Sequence, residues 1–192
     1  MDLNWLYEIE DTRPQDFDTF FSALLEATSN IDLHYFQLPV AGREEPIYRE
    51  RVYCYELYHQ LRSYLPTDFS YKLDGELDKV GHPIIHKAVG PVKPDFLVHE
   101  RGEMNKNLVV IEVKPINASV DGVRKDITTL CGFLSHARYY RAIYLVYGND
   151  ETTIESIVQL VIDNLPQNIP DNSFFLLWHQ YGNSSAEVIF SR

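Results

Sequence analysis

The sequence predicts an α/β fold: a central mixed sheet flanked by helices, with a helix and strand extension at each end. Three observations carry this. Two short apolar runs, one beginning with Asp95 and the other ending Glu112-Val113-Lys114, flank the polar segment 101–106 and close as a hairpin. Residues 142–147 are apolar on both faces, as a strand buried at the centre of a sheet requires. Apolar stripes at helical spacing lie before the hairpin and between it and that central strand.

Taken in order, Phe17, Phe20, Phe21, Leu24 and Leu25 make a first helical stripe, with Pro14 near its start and Asp16 and Asp18 in its first turn. Residues 33–40 read as extended. Cys54, Leu57, Tyr58, Leu61 and Leu65 predict a second helix over residues 47–65, ended by Pro66. Phe69, Tyr71 and Leu73 alternate as a strand. After the hairpin, Val123, Ile127, Leu130, Cys131 and Leu134 space a third helix, followed by the central strand. Ile154, Ile157, Val158, Val161, Ile162 and Leu165 give a last helix, before strands near 173–179 and 186–190.

The hairpin carries the chemistry. Its first strand follows Pro94-Asp95 and its second ends Glu112-Val113-Lys114. Strand alternation turns Val109, Ile111 and Val113 to a core and puts Glu112 and Lys114 together on the opposite face. Pairing Asp95 with Glu112 places the hairpin midpoint between Glu103 and Met104, inside the polar segment. Directly opposed side chains have Cβ atoms about 4.5–5.5 Å apart, and like charges there repel. A hard divalent cation, which prefers carboxylate oxygens, would turn that repulsion into a binding site.

Pro94-Asp95 followed by Glu112-x-Lys114 resembles the PD-(D/E)XK motif of the restriction-endonuclease-like nucleases, over roughly residues 50–147. The resemblance implies an αβββαβ core (here about 47–147) within one domain, and metal-dependent hydrolysis of phosphodiester bonds in nucleic acid, DNA foremost. It also implies Mg²⁺ or Mn²⁺ held by Asp95, Glu112 and the backbone carbonyl of Val113. An acid on the helix before the sheet is a further expectation. Glu56 is the candidate, with Glu76 and Asp78 as competitors. In that scheme Lys114 orients or helps deprotonate the attacking water and stabilises charge on the phosphate. The catalytic set is then Asp95, Glu112, Lys114 and Glu56, with Lys93, Arg124 and Lys125 at its edge to hold phosphates.

Charge distribution qualifies the nucleic-acid reading. The net charge is −11, yet residues 43–149 hold fifteen Lys or Arg against fourteen Asp or Glu. The acidity belongs to the two ends, which suits an alternative: a catalytically silent member of the same fold that binds a protein through its acidic terminal elements. A small-molecule phosphohydrolase is disfavoured, because no glycine-rich phosphate loop is present. His82 and His86 have i, i+4 spacing, but Pro83 interrupts them and no zinc-type third ligand follows. Tyr139, Tyr140 and Tyr147 read as packing residues, with base stacking as the other use. Cys54 and Cys131 lie on helix stripes and read as reduced core thiols. The start lacks a signal-peptide pattern and no run of about 18 apolar residues occurs, so a cytoplasmic protein without a membrane partner is expected.

Overall fold

A computed structural model describes residues 11–77, 86–87 and 90–192. Strand alternation organises what it contains. The helices are α1 (Arg13–Ser29), α2 (Glu50–Tyr64), α3 (Val120–His136) and α4 (Glu151–Asn164). The strands are β1 (Gln37–Leu38), β2 (Ile47–Tyr48), β3 (Lys72–Gly75), β4 (Phe96–His99), β5 (Asn107–Pro115), β6 (Arg141–Tyr147), β7 (Phe174–His179) and β8 (Glu187–Ser191). A six-stranded mixed sheet runs β3-β4-β5-β6-β7-β8, antiparallel at both ends and parallel across β5-β6-β7.

Each face of this sheet is covered by two helices. Val109, Ile111 and Val113 of β5 pack with Phe20, Leu24, Tyr53 and Leu57 from α1 and α2. Val110 of β5 and Ala142, Tyr144 and Val146 of β6 pack with Ile127, Leu130, Ile154 and Val161 from α3 and α4. Both faces of β6 are therefore buried, as its continuous apolar run requires. Fully burying each Val or Ile contributes about 1.5–3 kcal/mol before entropy is counted.

The hairpin register is the one the sequence predicts. Phe96 pairs with Ile111 and Leu97 with Val110, and the same register carried one residue further sets Asp95 opposite Glu112. The terminal helix and strands join this frame directly. Phe17 of α1 stacks near Phe175 of β7 at 5.4 Å, and the Ala186 N–H donates to Thr28 Oγ1 at 3.0 Å. Cys54 and Cys131 are buried free thiols.

Three local expectations fail. The strand read over Phe69, Tyr71 and Leu73 begins only at Lys72 and runs to Gly75, with Phe69 and Tyr71 packed before it as irregular chain. Residues 33–40 are not a strand: Asp32 accepts a hydrogen bond from the His34 N–H and starts a one-turn helix, Leu33–Tyr35, leaving only Gln37 and Leu38 to pair with β2. This is an Asx-type capture of the backbone by a short polar side chain. The second helix starts at Glu50 rather than 47, because Ile47 and Tyr48 form that partner strand. Among the described residues, no helix is long and apolar enough to cross a membrane.

Candidate functional site

Asp95 and Glu112 meet at the open end of the β4–β5 hairpin. The Val113 N–H donates to Asp95 Oδ2 at 2.8 Å, which fixes the carboxyl beside the strand. Glu112 is buried in β5 next to Tyr144 of β6. Burial raises the Asp95 carboxyl to about 6, against the pull of the Val113 N–H and the Lys114 charge. Glu112 goes well above its ordinary range, first through burial and then through the negative charges of Asp95 and Asp126. The Asp95 charge beside Glu112 thus favours the protonated form of Glu112.

Lys114 stands on the same face, two residues along. Its Nζ lies 2.8 Å from Glu50 Oε2 and 3.6 Å from Asp126 Oδ2. Burial pushes the ammonium pKa down, but the Glu50 hydrogen bond and the Asp126, Glu50 and Asp95 charges outweigh it, and the net direction is up. Lys114 therefore keeps its proton at neutral pH. It can orient a water and hold negative charge, but the expected role in deprotonating that water does not fit.

The helix acid beside this group is Glu50, not Glu56. Six helical residues separate them, about 9 Å along the axis and about 240° round it. Glu50 begins α2 four residues before buried Cys54, so it leaves the helix on the sheet-facing side. Glu56 instead accepts from Gln60 Nε2 at 2.6 Å and lies 4.0 Å from His59. Glu76 ends at a different edge of the site, ion-paired with Arg51 at 3.0 Å and Lys93 at 2.6 Å. Its φ of 46° is left-handed, a conformation that costs a residue with a side chain about 1–2 kcal/mol. Asp78 and His82 lie outside the described residues, and His86 is exposed.

Of the three basic residues expected to hold phosphate, Lys93 is committed to Glu76, and Arg124 pairs with exposed Asp121 at 3.6 Å. Lys125 is exposed on α3 beside Asp126. Tyr139 and Tyr147 are buried against Phe133 and Tyr53 respectively, and Tyr140 packs on Phe17. All three are packing residues here.

Besides Glu50, two residues at the site escaped the sequence reading. Asp126 of α3 is only 5 % exposed and raised to about 6 by burial, and its Oδ2 has no hydrogen-bond partner among the described residues. Tyr144, paired with Glu112 across β5 and β6, has a buried hydroxyl that likewise lacks one. Asp126 Oδ2 is balanced by the Lys114 ammonium at 3.6 Å, whereas the Tyr144 hydroxyl is a buried oxygen of the kind expected where a ligand completes the set.

Two cavities open beside Asp95. One, of about 420 Å³, is lined by Cys54, Tyr55, Tyr58, Asp74, Gly75, Glu76, Asp95 and Phe96. The other, of about 430 Å³, includes Arg49, Glu50, Arg51, Tyr55, Glu76 and Asp95. Among the described residues, no three His, Cys, Asp or Glu side chains form a complete metal cage. Magnesium does not need one, since it commonly uses one or two carboxylates and keeps several waters. Asp95 and Glu112 supply two such oxygens, Glu112 buried and Asp95 half-buried, where burial and mutual repulsion favour protonation and the Lys114 ammonium opposes it. The donor set could thus hold a hard divalent cation, with the Val113 carbonyl as a third oxygen.

Comparison of the chain with protein-family models, with curated proteins and with solved structures returned no significant match.

Proposed function

We propose that the chain is a metal-dependent nuclease that hydrolyses phosphodiester bonds, with DNA as its substrate, on a restriction-endonuclease-like core formed by α2, β3, β4, β5, α3 and β6. The observation that carries this reading is the hairpin register that sets Asp95 opposite buried Glu112, with the Lys114 ammonium on the same face. The helix-strand-strand-strand-helix-strand order of elements supports it.

Asp95, Glu112 and the Val113 carbonyl would hold Mg²⁺ or Mn²⁺, and Glu50 replaces Glu56 as the helix acid. When bound, the cation supplies polarisation of the phosphoryl oxygen and acidification of a water. Lys114 stabilises the negative charge that grows on the phosphate, from a low-dielectric position where such charge is worth most. Glu50 and Asp126 hold that ammonium in place.

Purified chain incubated with single- and double-stranded DNA in millimolar Mn²⁺ or Mg²⁺ tests the proposal. Cleavage is expected, with loss in Asp95→Asn and Lys114→Ala. Cleavage that survives both substitutions, or no cleavage of DNA or RNA under any divalent cation, refutes it. The second reading, a silent fold that binds a protein through its ends, draws on the double ion pair that occupies Lys114 and on the exposed Asp18 and Glu26 of α1.

A further inference from the structure

The two cavities beside Asp95 are not separate features. Both include Tyr55, Glu76 and Asp95, so Tyr55 stands between them and the carboxyl of Asp95 is common to both. Their volumes, about 420 and 430 Å³, fall in the range of about 300–1,000 Å³ typical of small-ligand sites. Tyr55 is 64 % exposed, on a helix whose neighbouring aromatic side chains Tyr53 and Tyr58 are buried or half-buried. It has no ring partner among the described residues. A large exposed aromatic at the mouth of two cavities is a stacking surface.

Two further rings line the first cavity. Tyr58 and Phe96 line the first cavity with near-parallel rings, 15° apart in plane and 6.4 Å between centroids. Three acids line the first cavity: Asp74 is paired with His99 and Arg101, Glu76 with Arg51 and Lys93, and Asp95 accepts from the Val113 N–H. A neutral flat group fits there, and a phosphate does not. The second cavity is lined by Arg49 and Arg51 together with Glu50, Glu76 and Asp95; Arg51 is paired with Glu76, and Arg49 offers a cation to the backbone of a polymer.

We propose that the two cavities are subsites for the nucleosides on either side of the cleaved phosphate, separated by Tyr55, so that the substrate is single-stranded or locally unpaired. Bases held in a duplex cannot enter concave pockets without leaving the stack, whereas a single strand lays successive bases on aromatic side chains. The inference rests on the nuclease reading for what happens at Asp95, but not for binding.

The 192-residue chain carrying Lys114→Ala, with a single-stranded oligodeoxynucleotide carrying one 2-aminopurine, provides the test. Fluorescence anisotropy reads binding, and quenching of the 2-aminopurine reads stacking. The single strand should bind at least tenfold more tightly than the same sequence in duplex. Adding Tyr55→Ala should weaken it about tenfold and remove the quenching. Gly75→Val provides a second arm, because a Cβ at Gly75 meets only ordinary contacts, 3.8 Å from Asp95 O and Tyr58 Cδ2, and projects into the first cavity. It should abolish quenching while leaving the far-ultraviolet circular dichroism unchanged. Equal affinity for single strand and duplex, or indifference to both substitutions, overturns the subsites. Cleavage by the chain with native Lys114 separates the two readings. Tyr55-dependent binding without any cleavage keeps the subsites and removes the nuclease, whereas duplex cleavage indifferent to Tyr55→Ala does the reverse.

Discussion

Lys114 Nζ lies 2.8 Å from Glu50 Oε2, joining the end of β5 to the first turn of α2 across 64 residues of sequence. This contact identifies which helix acid belongs to the site. Glu50→Gln removes the charged anchor and is expected to lower the cleavage rate about 10–100-fold, the usual cost of losing a group that orients a metal-site residue. Glu56→Gln, which disturbs only contacts to Gln60 and His59, should leave the rate within about twofold. Rate constants under saturating Mn²⁺ separate the two.

Cation binding at Asp95 and Glu112 should stabilise the fold by mass action. At a hundredfold excess over Kd the gain is about 2.7 kcal/mol, or roughly 5–10 °C in Tm for a chain of this size. A thermal melt with and without Mn²⁺ should show the shift in the native protein and lose it in Asp95→Asn and in Glu112→Gln.

His179 predicts a separate acid sensitivity. It is fully buried, with Nδ1 2.6 Å from the Tyr53 hydroxyl, and burial lowers it to about 4 from an ordinary 6.5. Tyr53 and Tyr147, the titratable groups packed around it, are themselves raised by burial and stay neutral here. The unfolded chain therefore binds a proton below about 6.5 that the folded chain refuses until about 4. Stability contributed by the neutral ring is complete above 6.5 and falls as pH drops toward 4, by about 3 kcal/mol at most. Asp95 and Asp126, raised to about 6, act in the opposite sense over the same window. Urea titrations of the native protein and His179→Gln between pH 4 and 7.5 isolate the histidine. The difference in stability between the two should shrink as the pH falls.

Gly148 follows β6 with φ +114°, and a Cβ there would lie 2.8 Å from both Ile116 Cγ2 and the Tyr48 hydroxyl. Gly148→Ala should therefore destabilise the fold by about 1–3 kcal/mol, seen as a lower urea midpoint with an unchanged slope.

Much of this was legible in the sequence because two periods coincide there. The apolar runs around residues 101–106 fix one hairpin register, since a slip by one residue would turn Val109, Ile111 and Val113 out of the core. That same register sets Asp95 opposite Glu112. Glu50 was not legible, because an acid in the first turn of a helix reads as a complement to the helix dipole. Its place four residues before Cys54, on the buried stripe, was the available signal. Asp126 was hidden for a related reason. It sits among Val123, Ile127 and Leu130, and only the Lys114 ammonium, brought in from β5, accounts for a carboxylate on that face. The short Leu33–Tyr35 turn was missed because the Asp32 side chain competes with strand pairing, a local effect that hydropathy does not register.

The central claim is that one cation joins Asp95 to Glu112, and a crystal soaked in Mn²⁺ tests it most directly. The account predicts an anomalous peak within coordination distance of both carboxylates, lost in Glu112→Gln crystals. A peak placed elsewhere, or none while the two carboxyls stay hydrogen-bonded to each other at neutral pH, would contradict it.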